Sequence, residues 1–173
     1  LYANGPDRTL LSKATQSCGT VDSLNAAFPD ATFITIIRHP YRSLASHVSL
    51  FVPVWQAHSP EITKNGPVAQ AYGQLAIDWY RHLFEFRTRV DPARYYCIDY
   101  RDLVRNPRET IEALYRHFGW TLSDACRARL TEATERQREF KSTHEYTLEE
   151  FGMTREGIQA QLGDVLDHYR LER

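Results

Sequence analysis

The sequence predicts an α/β fold, a parallel sheet flanked by helices, on three observations. Two short runs, 32–37 and 95–98, are nearly continuous in apolar and aromatic residues, as expected of strands covered on both faces. The longer segments after them carry apolar residues at helical spacing. Strands and helices alternate along the chain, the order that builds a doubly wound sheet. The length, 173 residues, is that of one domain over 1–173.

Taken in order, Thr9-Leu10-Leu11-Ser12 reads as a short strand ending at Lys13. Thr20 is placed to cap a helix over 21–28 that turns Val21, Leu24 and Phe28 inward. The strand 32–37 follows the Pro29-Asp30 turn. Pro40 suits the first turn of the next helix, where a missing N–H costs nothing, and the helix runs to about Phe51 with Leu44, Val48 and Phe51 on one face. Residues 52–66 contain Pro53, Pro60 and Gly66 and read as a loop of the kind that covers a substrate site. Pro67 opens a long helix whose stripe is Val68, Tyr72, Leu75, Trp79, Leu83 and Phe86. After the strand 95–98, Asn106-Pro107-Arg108-Glu109 has the form of a capping box, and its helix stops at Gly119. Leu122, Cys126 and Leu130 define a further helix, and Thr154 caps the last, with Ile158, Leu162, Val165 and Leu166 inward.

The segment Ile36-Ile37-Arg38-His39-Pro40-Tyr41-Arg42-Ser43-Leu44-Ala45-Ser46 carries the chemistry. Arg38 falls where a central strand ends and a helix begins, the edge of an open α/β sheet where ligands bind. A helix start offers N–H donors and a partial positive charge. Arg38 adds a forked cation, and Ser46 a hydroxyl two turns along the helix. Together they form an anion site suited to a phosphate. A solvated arginine and a serine filling a packed helix are the plainer alternative on these residues alone.

Arg-x-Pro with Ser eight residues after the Arg resembles the 3′-phosphate motif of sulfotransferases that use 3′-phosphoadenosine 5′-phosphosulfate (PAPS). The stretch from Leu10 to Phe51 is similar to the broad, largely bacterial branch of that family. The likeness continues in Ile98-Asp99-Tyr100-Arg101-Asp102-Leu103 and in the segment from His144 to Gly152. The resemblance implies a three-layer, P-loop-hydrolase-like architecture and sulfuryl transfer from PAPS to a hydroxyl or amine of a small-molecule or glycan acceptor, without a metal. It assigns Arg38 and Ser46 to the 3′-phosphate, and Lys13 to the catalytic cation. Asp99, Tyr100 and Asp102 take a structural place at a strand end, and His144, Tyr146 and Phe151 a packing or site-covering one. Two departures matter. The family's Gly-rich loop for the 5′-phosphosulfate has no counterpart here, so the chain is expected to be the C-terminal part of a longer domain with little turnover alone. Where the branch often carries His or Asn four residues after the lysine stands Ser17, a poor base. A non-catalytic relative that binds 3′-phosphorylated nucleotide and a fragment of a nucleotide-dependent kinase are the alternatives.

Composition bounds the rest. A net charge of −1 argues against a broadly basic nucleic-acid binder. No run has the length of a membrane span and no leader pattern opens the sequence. Cys18, Cys97 and Cys126 have no metal-ligand spacing, and three thiols do not make a disulfide framework, so a reducing, cytoplasmic setting is expected.

Overall fold

A computed structural model describes residues 9–139 and 146–171. Two strands, β1 (Phe33–Ile37) and β2 (Tyr95–Asp99), pair in parallel with Phe33 opposite Tyr95 and Ile37 opposite Asp99. Parallel neighbours cannot be joined by a tight turn. Here the connection is made by α2 (Pro40–His58) and α3 (Pro67–Phe86). A 3₁₀ segment (Thr15–Thr20) leads into α1 (Val21–Ala27) ahead of β1. Beyond β2 come α4 (Tyr100–Arg105), α5 (Pro107–His117), α6 (Asp124–Glu139) and α7 (Arg155–His168).

The main core lies where α2, α3 and α7 meet, around Leu44, Val48, Ala69, Ile77, Ile158 and Leu162. Leu44 and Val48 are inward as the spacing required, at 1% and 0% exposure. On α3 the buried positions are Ala69, Gly73, Ala76, Ile77 and Phe86; of the expected stripe Phe86 is fully buried and Tyr72, Trp79 and Leu83 pack partly buried against the core, while Val68 and Leu75 are exposed. The helix approaches its neighbours through small residues: a Cβ on Gly73 would lie 2.9 Å from Met153 Sδ. Close approach selects the small residues in the middle of the helix, and Phe86 fills the space at its end.

Four other expectations are corrected. Residues 9–14 form no strand, and Leu10 and Leu11 stand 65% and 83% exposed. The described sheet pairs β1 with β2 only, and this segment pairs with neither. Helix α2 does not stop near Phe51; it continues through Pro53 to His58. Burial of Val52 and the edge contact of Trp55 on Tyr72, 5.2 Å between ring centroids, hold the helix past a residue that cannot donate to the Ser49 carbonyl. The capping box at Asn106 does not form, because the Asn106 side chain caps nothing and the preceding residues already coil as α4. Thr20 likewise makes no side-chain cap. Thr154 does cap α7, accepting from Gly157 N at 3.1 Å, and Gly119, at φ 67°, ends α5.

Phe151, 1% exposed, packs into the main core, and Gly152 at φ 69° turns the chain behind it. Tyr146 meets the Phe151 ring edge at 6.2 Å, so this part of the C-terminal signature packs. His144 lies outside the described residues.

Candidate functional site

Arg38 follows β1 directly. Because Ile37 is opposite Asp99, the next residues of the two strands, Arg38 and Tyr100, come side by side, and the Arg38 guanidinium rests 4.8 Å from the Tyr100 ring centroid. A planar cation on an aromatic face keeps its in-plane N–H groups free to bind an anion. Among the described residues Arg38 has no carboxylate partner. That cation is half-buried and uncompensated, which is what an anion site requires.

The backbone beneath Arg38 is pinned from α3. Tyr80 Oη donates to the Arg38 carbonyl at 2.8 Å and accepts from Ser43 Oγ, which also lies 3.1 Å from the His39 carbonyl. Burial pushes the Tyr80 hydroxyl up to about 12, so it remains a donor across the physiological range. Tyr80 therefore ties strand end, helix start and α3 at one point. It sits outside the apolar stripe read from sequence; the small-residue spacing Gly73, Ala76, Ile77 leads to it and is the signal that could have found it.

The start of α2 does not supply the loose donors expected of it. Pro40 has no N–H, Tyr41 N donates to His39 Nδ1 at 3.3 Å, and Arg42 N and Ser43 N both donate to the His39 carbonyl at 3.1 Å. The donors left free at this junction are therefore side chains. Ser46 is one of them: it is half-buried, about 9 Å along the helix from Pro40 at 1.5 Å per residue, and its hydroxyl enters no hydrogen bond among the described residues. Its carbonyl accepts from Ser49 Oγ at 2.8 Å. Arg38 and Ser46 thus share one strand–helix unit, and their donor set fits a phosphate.

Lys13 is placed differently from expectation. It lies on the exposed irregular segment before the 3₁₀ turn, not at a strand end, and no hydrogen bond or ion pair joins it to Arg38 or Ser46. Thr15, two residues on, and Cys18 line a cavity of about 190 Å³ whose wall also includes Thr35 of β1 and Ser43 and His47 of α2. Burial pushes the Cys18 thiol up, away from thiolate chemistry.

Asp99 is structural. It accepts from Arg101 N at 2.7 Å, capping α4. Burial raises its carboxyl, but the Arg101 hydrogen bonds and charge together outweigh that and hold it below the usual range. Arg101 in turn donates to the Arg170 and Tyr169 carbonyls, fastening the end of α7 to the strand edge.

Known proteins similar to this chain in sequence and fold are sulfotransferases. A family model described as the sulfotransferase family matches residues 1–124. Omega-hydroxy-beta-dihydromenaquinone-9 sulfotransferase Stf3 of Mycobacterium bovis and of Mycobacterium tuberculosis is 26% identical over 167 residues, 96% of this chain and 42% of the relative. The crystal structure of sulfotransferase STF9 from Mycobacterium avium superposes with a TM-score of 0.75 at 22% identity, covering 92% of this chain and 41% of that one. Sulfotransferase STF1 from Mycobacterium tuberculosis gives a TM-score of 0.61 at 30% identity, over 88% of this chain and 38% of the other. The chain spans about two fifths of the length of the curated relatives it matches. Among the described residues no helix is long and apolar enough to cross a membrane.

Proposed function

The chain belongs to the sulfotransferase family, and from that premise we propose that it holds the 3′-phosphate end of PAPS in a protein that transfers the sulfuryl group to a hydroxyl or amine of a small-molecule or glycan acceptor. The observation that carries this reading is that Arg38, stacked on Tyr100 and without a carboxylate partner among the described residues, shares the β1–α2 unit with Ser46, whose hydroxyl makes no hydrogen bond among them. PAPS supplies an activated sulfuryl group on a phosphate leaving group. Arg38 and Ser46 hold its non-reacting phosphate, which carries close to two negative charges at neutral pH, and so fix the donor's register on the sheet edge. Lys13, two residues before the cavity-lining Thr15, is the proposed cation for charge growing on the leaving oxygen. Among the described residues Ser17 has no basic partner that would activate it, so its proposed role is binding, not deprotonation. The three thiols are unpaired, which supports a reducing, cytoplasmic setting.

The test is thermal stabilisation by adenosine 3′,5′-bisphosphate against 5′-AMP. A ligand at 100 times its Kd adds about 2.7 kcal/mol to folding, or roughly 5–10 °C in Tm at this size. The bisphosphate should stabilise the protein and 5′-AMP much less, with the difference abolished in Arg38→Ala. Equal shifts with both nucleotides would remove the 3′-phosphate assignment.

A further inference from the structure

We propose that the groove between α3 and α7 is a second binding site, for the ring of a neutral polyhydroxylated ligand such as a pyranose sugar. The groove has a volume of about 250 Å³ and shares no lining residue with the cavity beside β1. Gln70, Gln74 and Ile77 recur at i, i+4 and i+7 on α3 and so stand in one row on its face. Gly157, Ile158 and Gln161 line the groove from α7, and Thr154 lines it from the cap of that helix. Ile77, Met153 and Ile158 are buried and make an apolar floor, while the three glutamines and Thr154 are exposed and make a polar rim. Two glycines keep side chains out of that rim. A Cβ on Gly152 would lie 2.7 Å from Gln70 Nε2, and one on Gly157 would lie 3.1 Å from Thr154 Oγ1.

The rim is already oriented. Gln74 Nε2 donates to Gln161 Oε1 at 2.7 Å and to Asp78 Oδ1 at 2.9 Å. Gln70 Nε2 donates to the Asn65 carbonyl at 2.7 Å, and Gln161 Nε2 to the Gly157 carbonyl at 3.3 Å. Arg81, paired with Asp164 at 2.6 Å, also donates to the Gln161 carbonyl and so fastens α7 to α3 beside the groove. An amide side chain carries two N–H donors and an oxygen acceptor. Gln70 and Gln74 therefore each keep an oxygen, Gln70 and Gln161 each keep an N–H, and Thr154 keeps its hydroxyl proton, none of them with a partner among the described residues. Charge and shape then select the ligand. The lining holds no charged side chain, so an ion finds no opposite charge to replace its hydration. A purely apolar ring would cover the amides and return no hydrogen bond. A sugar ring carries hydroxyls, each both donor and acceptor, around its edge and C–H bonds on its faces. Its edge meets the rim and its face the floor, the mixed lining that small-molecule sites use. Roughly 150 Å³ takes benzene, so about 250 Å³ admits a six-membered ring with its substituents.

The experiment titrates the full chain with the methyl pyranosides of glucose, galactose and mannose and follows the side-chain amide ¹H–¹⁵N signals of Gln70, Gln74 and Gln161. Tetrahydropyran, the same ring without hydroxyls, N-methylacetamide, a neutral amide, and adenosine 3′,5′-bisphosphate are run in parallel. At least one pyranoside should move the three signals together and saturate in the millimolar range, and the three comparison compounds should leave them in place. Gln70→Leu and Gln161→Leu should each weaken that pyranoside about 5-fold, the effect of one net hydrogen bond. Three pyranosides that leave all three amides unmoved overturn the inference, as does tetrahydropyran or N-methylacetamide moving them equally. Binding unchanged in both variants overturns it too; if the variants do not fold, the comparison of ligands on the native chain decides. A shift of these amides by the bisphosphate would assign the groove to the nucleotide instead and also overturn the inference.

Discussion

Replacing Tyr80 by Phe removes one oxygen and leaves the ring. In the native protein that oxygen donates to the Arg38 carbonyl at 2.8 Å and accepts from Ser43 Oγ. Its loss strands a part-buried carbonyl directly under the proposed phosphate ligand. A typical net hydrogen bond contributes about 1 kcal/mol, and leaving a buried partner unsatisfied raises the cost to about 1–3 kcal/mol. At roughly 2–4 °C per kcal/mol for a domain of this size, the Tm should fall by about 2–12 °C. The control is Tyr72→Phe, which deletes a hydroxyl on the same helix that makes no hydrogen bond among the described residues. It should cost well under 1 kcal/mol. The assay is melting of both variants with and without adenosine 3′,5′-bisphosphate. Tyr80→Phe should also weaken the nucleotide response several-fold, because Arg38 is no longer held at a fixed height above Tyr100. Ser43→Ala should reproduce part of the effect. If Tyr80→Phe melts and binds like Tyr72→Phe, the pinning of the strand–helix junction has no energetic weight.

In a PAPS-dependent assay with phenols, Lys13→Ala should lower kcat by roughly 10²–10³ and leave bisphosphate binding unchanged; equal losses in both would move Lys13 into the phosphate site. Gly152→Ala should cost more than Gly119→Ala in chemical denaturation. The two sit at φ 69° and 67°, but a Cβ at Gly152 meets Gln70 Nε2 at 2.7 Å, whereas at Gly119 it meets nothing within 4 Å; equal costs would show that Gln70 yields freely. Burial lowers both His47 and His168, the latter with help from the Arg87 charge, so the unfolded chain takes up these protons first. The stability they support is whole above the unfolded pKa of about 6.5 and is lost as pH falls through their lower folded values. His47→Phe should flatten the stability profile on the acid side of about pH 6.5, and an unchanged slope there would contradict burial as the cause.

Local signals made the β1–α2 unit legible. A β-branched run, a proline at the first helical turn and the 44/48 spacing each require only neighbouring residues, and they delivered Arg38 and Ser46 to one unit. What depended on distant partners was not legible. Leu10 and Leu11 have strand character, yet a strand exists only where another pairs with it, and residues 9–14 have no such neighbour in the described sheet. Pro53 marks a helix end by local chemistry, but packing of Val52 and Trp55 carries α2 past it. The α3 stripe was assigned by size, and Phe86 is buried as it required, but along the middle of the helix burial follows the small residues that let α2 and α7 approach. Tyr100 beneath Arg38 required the β1–β2 register, and Tyr80 beneath the Arg38 carbonyl required a contact across 42 residues. The N–H groups at the start of α2 were expected to face a ligand, and the His39 side chain and carbonyl take them instead.

The central claim is that Arg38 and Ser46 recognise a 3′-phosphate, and phosphorus NMR of adenosine 3′,5′-bisphosphate reads it group by group, because the two phosphates give separate resonances. On titration with the protein, the 3′-phosphate resonance should shift and broaden, and its second ionisation, near pH 6 in free phosphate esters, should move lower as Arg38 favours the dianion. In Arg38→Ala both effects should vanish, and in Ser46→Ala they should weaken. A 5′-phosphate resonance that responds while the 3′ stays unmoved, or a 3′ response that persists in Arg38→Ala, would contradict the account.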